Sequence, residues 1–140
     1  MSRKLMMGML MTLALAALLA ACGKSGTSAN LDGTEWVLQS LNGLSPLLGT
    51  RVTLAFEGGQ ASGSAGCNSY FGAYRVEGQD GLIFDAIANT EMACLEPAGI
   101  MEQETQYLEI LRGASSFRLS DGELEMTGTG GAVLVYSRAQ

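Results

Sequence analysis

The chain contains no histidine. That one absence excludes Cys-His nucleophilic catalysis, Ser-His-Asp triads and imidazole metal ligation together. The three cysteines, Cys22, Cys67 and Cys94, form no CxxC pair, so the usual thiolate spacing for zinc is missing as well. The glycine-rich stretch "GGQASGSAG" lacks the Lys-Ser/Thr of a phosphate-binding loop, and no helical pattern follows it. Neither Asp80-Gly81 nor Asp121-Gly122 sits in the alternating acidic run of a calcium loop. Glu77, Asp80 and Asp85 cluster in sequence, as acid–base carboxylates can, but read as solvated turn residues. Basic side chains are also scarce, with 8 Lys and Arg against 14 Asp and Glu. A basic patch for nucleic acid is therefore not expected. No metal, no cofactor and no catalytic residue are expected, and the chain reads as a non-enzyme.

What is present begins with an address. Arg3 and Lys4 precede "LMMGMLMTLALAALLAA", an uncharged run from Leu5 to Ala21, the form of a secretory signal. The run ends in "LAAC", Leu19 to Cys22, which resembles the bacterial lipobox. That resemblance implies cleavage before Cys22 and a lipid on its thiol. An uncleaved membrane helix is the alternative, at the short end of the spanning range. Residues 1–21 then form the signal, 22–30 a lipidated cysteine with a small, polar tether, and 31–140 one domain. The tether spaces the domain from the membrane by about 15 Å. Gly23 is not an aspartate, so the expected place is the outer membrane, facing the periplasm. Without the leader, six basic and fourteen acidic side chains remain, a net of −8. Attachment to the membrane should then rest on acyl chains, not on attraction to anionic lipid.

The domain reads mainly as strand. In "RVTLAF", Val52, Leu54 and Phe56 alternate with polar or small residues. "SFRLS" and "ELEMT" alternate likewise, facing Phe117, Leu119, Leu124 and Met126 inward, with Asp121-Gly122 as a two-residue hairpin between them. "TEWVLQSL" puts Trp36, Leu38 and Ser40 on one side, "LIF" at 82–84 follows a Gly-rich turn, and "AVLVY" is apolar on both faces. One stretch, Pro97 to Arg112, has helical spacing at Ile100, Met101, Gln103 or Glu104, Tyr107, Leu108 and Leu111. Its acids Glu102 and Glu109 fall on the outer face, and Gly113 follows its end. Short antiparallel strands and one helix over 97–112 predict a small twisted sheet closing towards a barrel, with the helix over a face or an open end.

"GTEWVLQSL", "VTLAFEGGQASGSAGCNSYFGAYRVEGQDGLIF", "IANTEMAC" and "ETQYLEILRG" together resemble the META domain, also called the HslJ-like domain. The resemblance runs from Leu31 to Tyr136 and rests most on Gly-Cys-Asn with its following aromatics and on Thr-x-Met-Ala-Cys. It implies a small lipocalin-like β-barrel with one helix, exported or lipid-anchored, and an association with envelope stress. No reaction or cofactor is implied.

Once Cys22 carries lipid, Cys67 and Cys94 are the remaining thiols. Outside the cytoplasm a disulfide between them is the simplest reading, with packed free thiols or a reactive or metal site as alternatives. Closing about 28 residues would contribute roughly 3.5 kcal/mol in the chain-entropy model. Gly63 and Gly66 let the backbone approach a neighbouring strand, and Asn68 suits a turn or bulge with positive φ. Tyr70, Gly72 and Tyr74 share a strand face, and Gly72 leaves a gap between two rings for a crossing side chain or a ligand. Trp36 reads as a core anchor. Rings and amides suit recognition, so Asn68, Tyr70 and Tyr74, with Thr90 and Glu91 nearby, form the candidate binding surface. The expected function is that of a non-catalytic envelope lipoprotein binding an envelope protein or a small apolar ligand in stress resistance. The alternative is a periplasmic inhibitor of a host or competitor enzyme, with the loop Ser62–Ser69 as its plug.

Overall fold

Alternating apolar residues need a sheet with one buried face, and each alternating segment is indeed a strand. The computed structural model describes residues 30–140. The signal 1–21, the lipidation site Cys22 and the tether to residue 29 lie outside the described residues. In chain order the elements are β1 (Thr34–Leu41), β2 (Thr53–Glu57), β3 (Gln60–Ser64), β4 (Ser69–Glu77), β5 (Gly81–Asn89), α1 (Ile100–Arg112), β6 (Ala114–Ser120), β7 (Glu123–Gly128) and β8 (Val133–Arg138). Neighbours in sequence pair antiparallel and β8 returns to β1, so the sheet closes into an eight-stranded barrel. The mainly-β barrel with one helix is the observed fold.

An up-and-down barrel has two unlike ends. Tight turns join β2 to β3, β4 to β5 and β6 to β7 at one end, where β1 also begins and β8 finishes. Asp121 and Gly122 form the last of these turns with φ of 47° and 82°, as a two-residue hairpin requires. The longer connections β1–β2, β3–β4 and β7–β8 lie at the opposite end, and α1 sits there within the β5–β6 crossover. β5 and β6 share a single ladder pair, Gly81↔Ser116. Above it the Arg112 side chain donates to Ile87 O at 3.4 Å and Asn89 Oδ1 at 2.7 Å.

Eight strands enclose a space that side chains just fill. Leu38, Leu54, Phe56, Leu82, Leu124, Met126 and Leu134 fill it here, with Tyr70, Tyr136 and, from the helix, Tyr107. Trp36 is a core residue as read, and its Nε1 donates to Thr34 Oγ1 at 2.7 Å.

Three details differ from the pattern. A β-bulge between Leu38 and Ser40 shifts the phase of β1, so Leu41, not Ser40, turns inward. The helix begins at Ile100 instead of Pro97, because Gly99 takes a left-handed conformation at its N-cap (φ 88°) and stops helical geometry short of the proline. In β8 the two faces are unequal, with Leu134 and Tyr136 buried and Val133 and Val135 half-buried.

Candidate functional site

Cys67 and Cys94 are joined by a disulfide, with Cα atoms 5.9 Å apart. Around it lies a polar network that the sequence reading did not assemble. Asn68 is 1% exposed and Glu104, on the inner face of α1, 4%. Glu104 Oε2 accepts from the backbone N–H of Asn68 (2.6 Å) and of Cys67 (3.2 Å), while its Oε1 accepts from Asn68 Nδ2 (2.6 Å). Asn68 Nδ2 also donates to Met92 O at 3.0 Å. Its Oδ1 accepts from Thr90 Oγ1 (2.8 Å) and Met92 N (2.7 Å). Both donors and both lone pairs of the amide are used, which is what allows an asparagine into the core.

The preceding helix residue holds another loop. Gln103 Oε1 accepts from Leu47 N at 2.6 Å and its Nε2 donates to Thr50 Oγ1 at 3.2 Å. Cys94 N lies 3.4 Å from Met101 Sδ. One turn of α1 thus fixes the β1–β2, β3–β4 and β5–α1 loops onto the end of the barrel.

Below this cap the three buried tyrosines form a chain. Tyr136 OH donates to Tyr107 OH (3.2 Å), Tyr107 and Tyr70 hydroxyls are 2.7 Å apart, and Tyr70 OH donates to Thr53 O at 2.7 Å. Gly63 permits the last contact, since a Cβ there would collide with Thr53 O and Tyr70 OH. Burial raises all three hydroxyl pKa values well above the ordinary tyrosine value; the neighbouring phenol adds to the rise at Tyr70, while at Tyr107 and Tyr136 a hydrogen bond within the chain partly offsets it.

The predicted binding surface is therefore divided. Asn68 and Tyr70 are interior residues and are corrected from surface to core, because their polar atoms are matched inside the protein. Asn68 also has no positive φ: its role comes from its side chain. The gap at Gly72 is filled by Ile87, whose Cδ1 occupies the space a Cβ would take. Tyr74 is half-buried at the turn end, edge-on to Phe56 with ring centroids 4.7 Å apart. Burial, followed by the nearby Asp32, raises its pKa. Thr90 and Glu91 are exposed near the helix-capped end, and Thr90 also accepts from Ser69 N at 3.2 Å. The stretch Ser62–Ser69 does not protrude as a plug: Ser62–Ser64 belong to β3 and Ala65 to Asn68 fold against the helix. Glu77 and Asp85 both pair with Arg75 on the outer surface. Among the described residues no three His, Cys, Asp or Glu side chains converge as a metal site would need.

The capped end also exposes large apolar side chains. Leu44 (73% exposed) and Leu48 (94%) project from the β1–β2 loop, and Met92 (57%) and Leu95 (86%) from the β5–α1 loop. Shallow grooves run on both sides of the exposed α1 ridge. One, of about 230 Å³, lies between Leu44, Leu47, Glu102 and Gln106. The other, of about 300 Å³, is lined by Met101, Glu102, Thr105 and Gln106. Periodicity missed this surface because loops carry no period. Its sequence signal was leucine and methionine in segments with turn composition.

The family model of the META domain matches residues 29–140. An NMR structure of a protein from Burkholderia xenovorans is similar at 28% identity and TM-score 0.62, over 79% of this chain and 84% of that one. A second NMR structure is similar at 25% identity and TM-score 0.62, over 76% and 90%. No curated protein matches the chain. The two solved chains consist mostly of the matched fold, so such a barrel folds without a further domain.

Proposed function

The chain belongs to the META domain family, and from that premise we propose that it acts by recognition, not catalysis: a lipid-anchored envelope protein that docks a partner at the helix-capped end and supports resistance to envelope stress. The observation that carries this reading is the pair of loops bearing Leu44, Leu48, Met92 and Leu95, exposed yet fastened by Gln103, Glu104 and the disulfide. Clustered exposed apolar residues mark interaction surfaces, and a surface ordered in advance loses little entropy on binding. Two further features support it. A structural disulfide suits an exported protein. β1 begins at the opposite end from α1, so an anchor at Cys22 would leave the capped end facing away from the membrane.

The test is a photocrosslinking residue placed at Leu48, Leu95 or Glu123 of the full chain in intact cells. The same discrete adduct should form from Leu48 and from Leu95, and not from Glu123 at the turn end. Leu48→Lys combined with Leu95→Lys should reproduce the stress sensitivity of cells lacking the protein. No adduct from either loop would overturn the reading.

A further inference from the structure

Resting on that recognition reading, we infer that the partner at the capped end is a cationic amphipathic segment, with apolar side chains interleaved with Lys or Arg. The charges around the exposed leucines argue for it. Glu91, Glu96, Glu102 and Glu109 are all exposed at this end, and none is in an ion pair among the described residues. Glu102 stands on the ridge between the two grooves. The nearby cations are otherwise placed. Arg112 is engaged by Ile87 O and Asn89, and Arg51 lines a separate cleft beside Glu35 and Thr53. This end thus presents exposed leucine and methionine side chains together with carboxylates that no ion pair neutralises, Glu102 among them on the ridge between the grooves.

That combination selects among occupants. A second copy of this chain would set carboxylate against carboxylate, and like charges across an interface cost several kcal/mol. An anionic lipid surface is disfavoured for the same reason. A segment that lays leucine-like side chains into the two grooves and basic groups over Glu102 satisfies both features, as helices do in apolar grooves.

The experiment uses residues 30–140 with the disulfide closed. Two labelled peptides of equal length, one of leucine and lysine in an amphipathic helical pattern and one of leucine and glutamate, are titrated by fluorescence anisotropy. The lysine peptide should bind at least about tenfold more tightly, with an affinity that falls as salt rises. Leu48→Lys, Leu95→Lys and Glu102→Lys should each weaken it by about tenfold, whereas Glu123→Lys at the far end should change it by less than about twofold. Equal binding of the two peptides, equal effects at Glu102 and Glu123, or self-association lost on Leu48→Lys would overturn the proposal. Crosslinks from Leu48 and Leu95 that persist in cells while the lysine peptide fails would sink the cationic partner alone and leave recognition at this end standing.

Discussion

Asn68 and Glu104 show what one side chain can decide in this protein. A buried carboxylate is costly unless it is hydrogen-bonded, and Glu104 receives three N–H donors from Cys67 and Asn68. Asn68→Ala would strip that carboxylate of one donor, remove the side-chain partner of Met92 N and O, and leave the Thr90 hydroxyl without its acceptor. It should destabilise by about 3 kcal/mol in urea unfolding. Glu104→Gln keeps the shape but turns an N–H donor towards donors, and should cost about 2–3 kcal/mol. Tyr70→Phe leaves Thr53 O unpaired in the interior and should cost about 1–3 kcal/mol. Partner binding by folded Tyr70→Phe should be unchanged, because that hydroxyl lies below the cap, whereas folded Asn68→Ala and Glu104→Gln should weaken binding by loosening the loop that carries Met92. A folded Tyr70→Phe protein that failed to bind would contradict this placement.

At the scale of elements, α1 works as a plug with pins. Tyr107, Leu108 and Leu111 join the barrel core, and Met101, Gln103 and Glu104 fasten three loops. The disulfide repeats part of that job covalently, tying the β3–β4 loop to the β5–α1 loop. Cys67→Ser and Cys94→Ser should therefore destabilise to the same degree, at most roughly 3.5 kcal/mol in the chain-entropy model. The double replacement should add little to either single one, as for any coupled pair. Chemical denaturation of the three variants checks the energies, and thiol titration of the unreduced protein should find no reactive thiol at either position. Reduction should also loosen the loop carrying Met92 and Leu95 before the barrel opens, seen as faster amide exchange there than in β7 and β8.

For the whole molecule, the tyrosine chain ties the stability of the barrel to pH. Tyr70, Tyr107 and Tyr136 have pKa values raised by burial in the folded state. Their contribution is fully present below the unfolded value near 10 and is lost as pH rises beyond it, because the unfolded chain releases phenolic protons that the folded chain retains. Each can steepen the fall by up to about 1.4 kcal/mol per pH unit. Thermal melts should show a flat region below that pH and a sharp drop above it. Replacing Tyr107 and Tyr136 by Phe should flatten the drop even where it lowers stability at neutral pH. The same scale includes the anchor: Cys22→Ala should abolish lipid labelling and shift the chain out of the mature membrane fraction. Continued labelling of that variant would count against Cys22 as the lipid site.

Much of this architecture was legible because strands and helices have periods. Alternation at Val52, Leu54 and Phe56, the Asp121-Gly122 hairpin and the spacing of Tyr107, Leu108 and Leu111 are local consequences of backbone geometry. The cysteine pair was legible too, since composition and a secretory leader left Cys67 and Cys94 each other as the simplest partner. The candidate surface was not. Gly-Cys-Asn with Tyr70 and Tyr74 on one strand face looked like a display of amides and rings, whereas barrel closure turned Tyr70 inward and brought Glu104 from 36 residues away onto Asn68. Burial in a closed barrel depends on contacts among distant strands, and no local pattern says whether a polar side chain will meet its complement there. By itself the sequence determined most of the strands, the helix, the Asp121-Gly122 turn and the thiol pair, whereas β3 over Gln60–Ser64 read as a glycine-rich loop. Only the tertiary structure decided that the quoted motif is an internal clamp, and that leucines in irregular loops form the exposed end, because loops acquire a common face when the barrel brings them together.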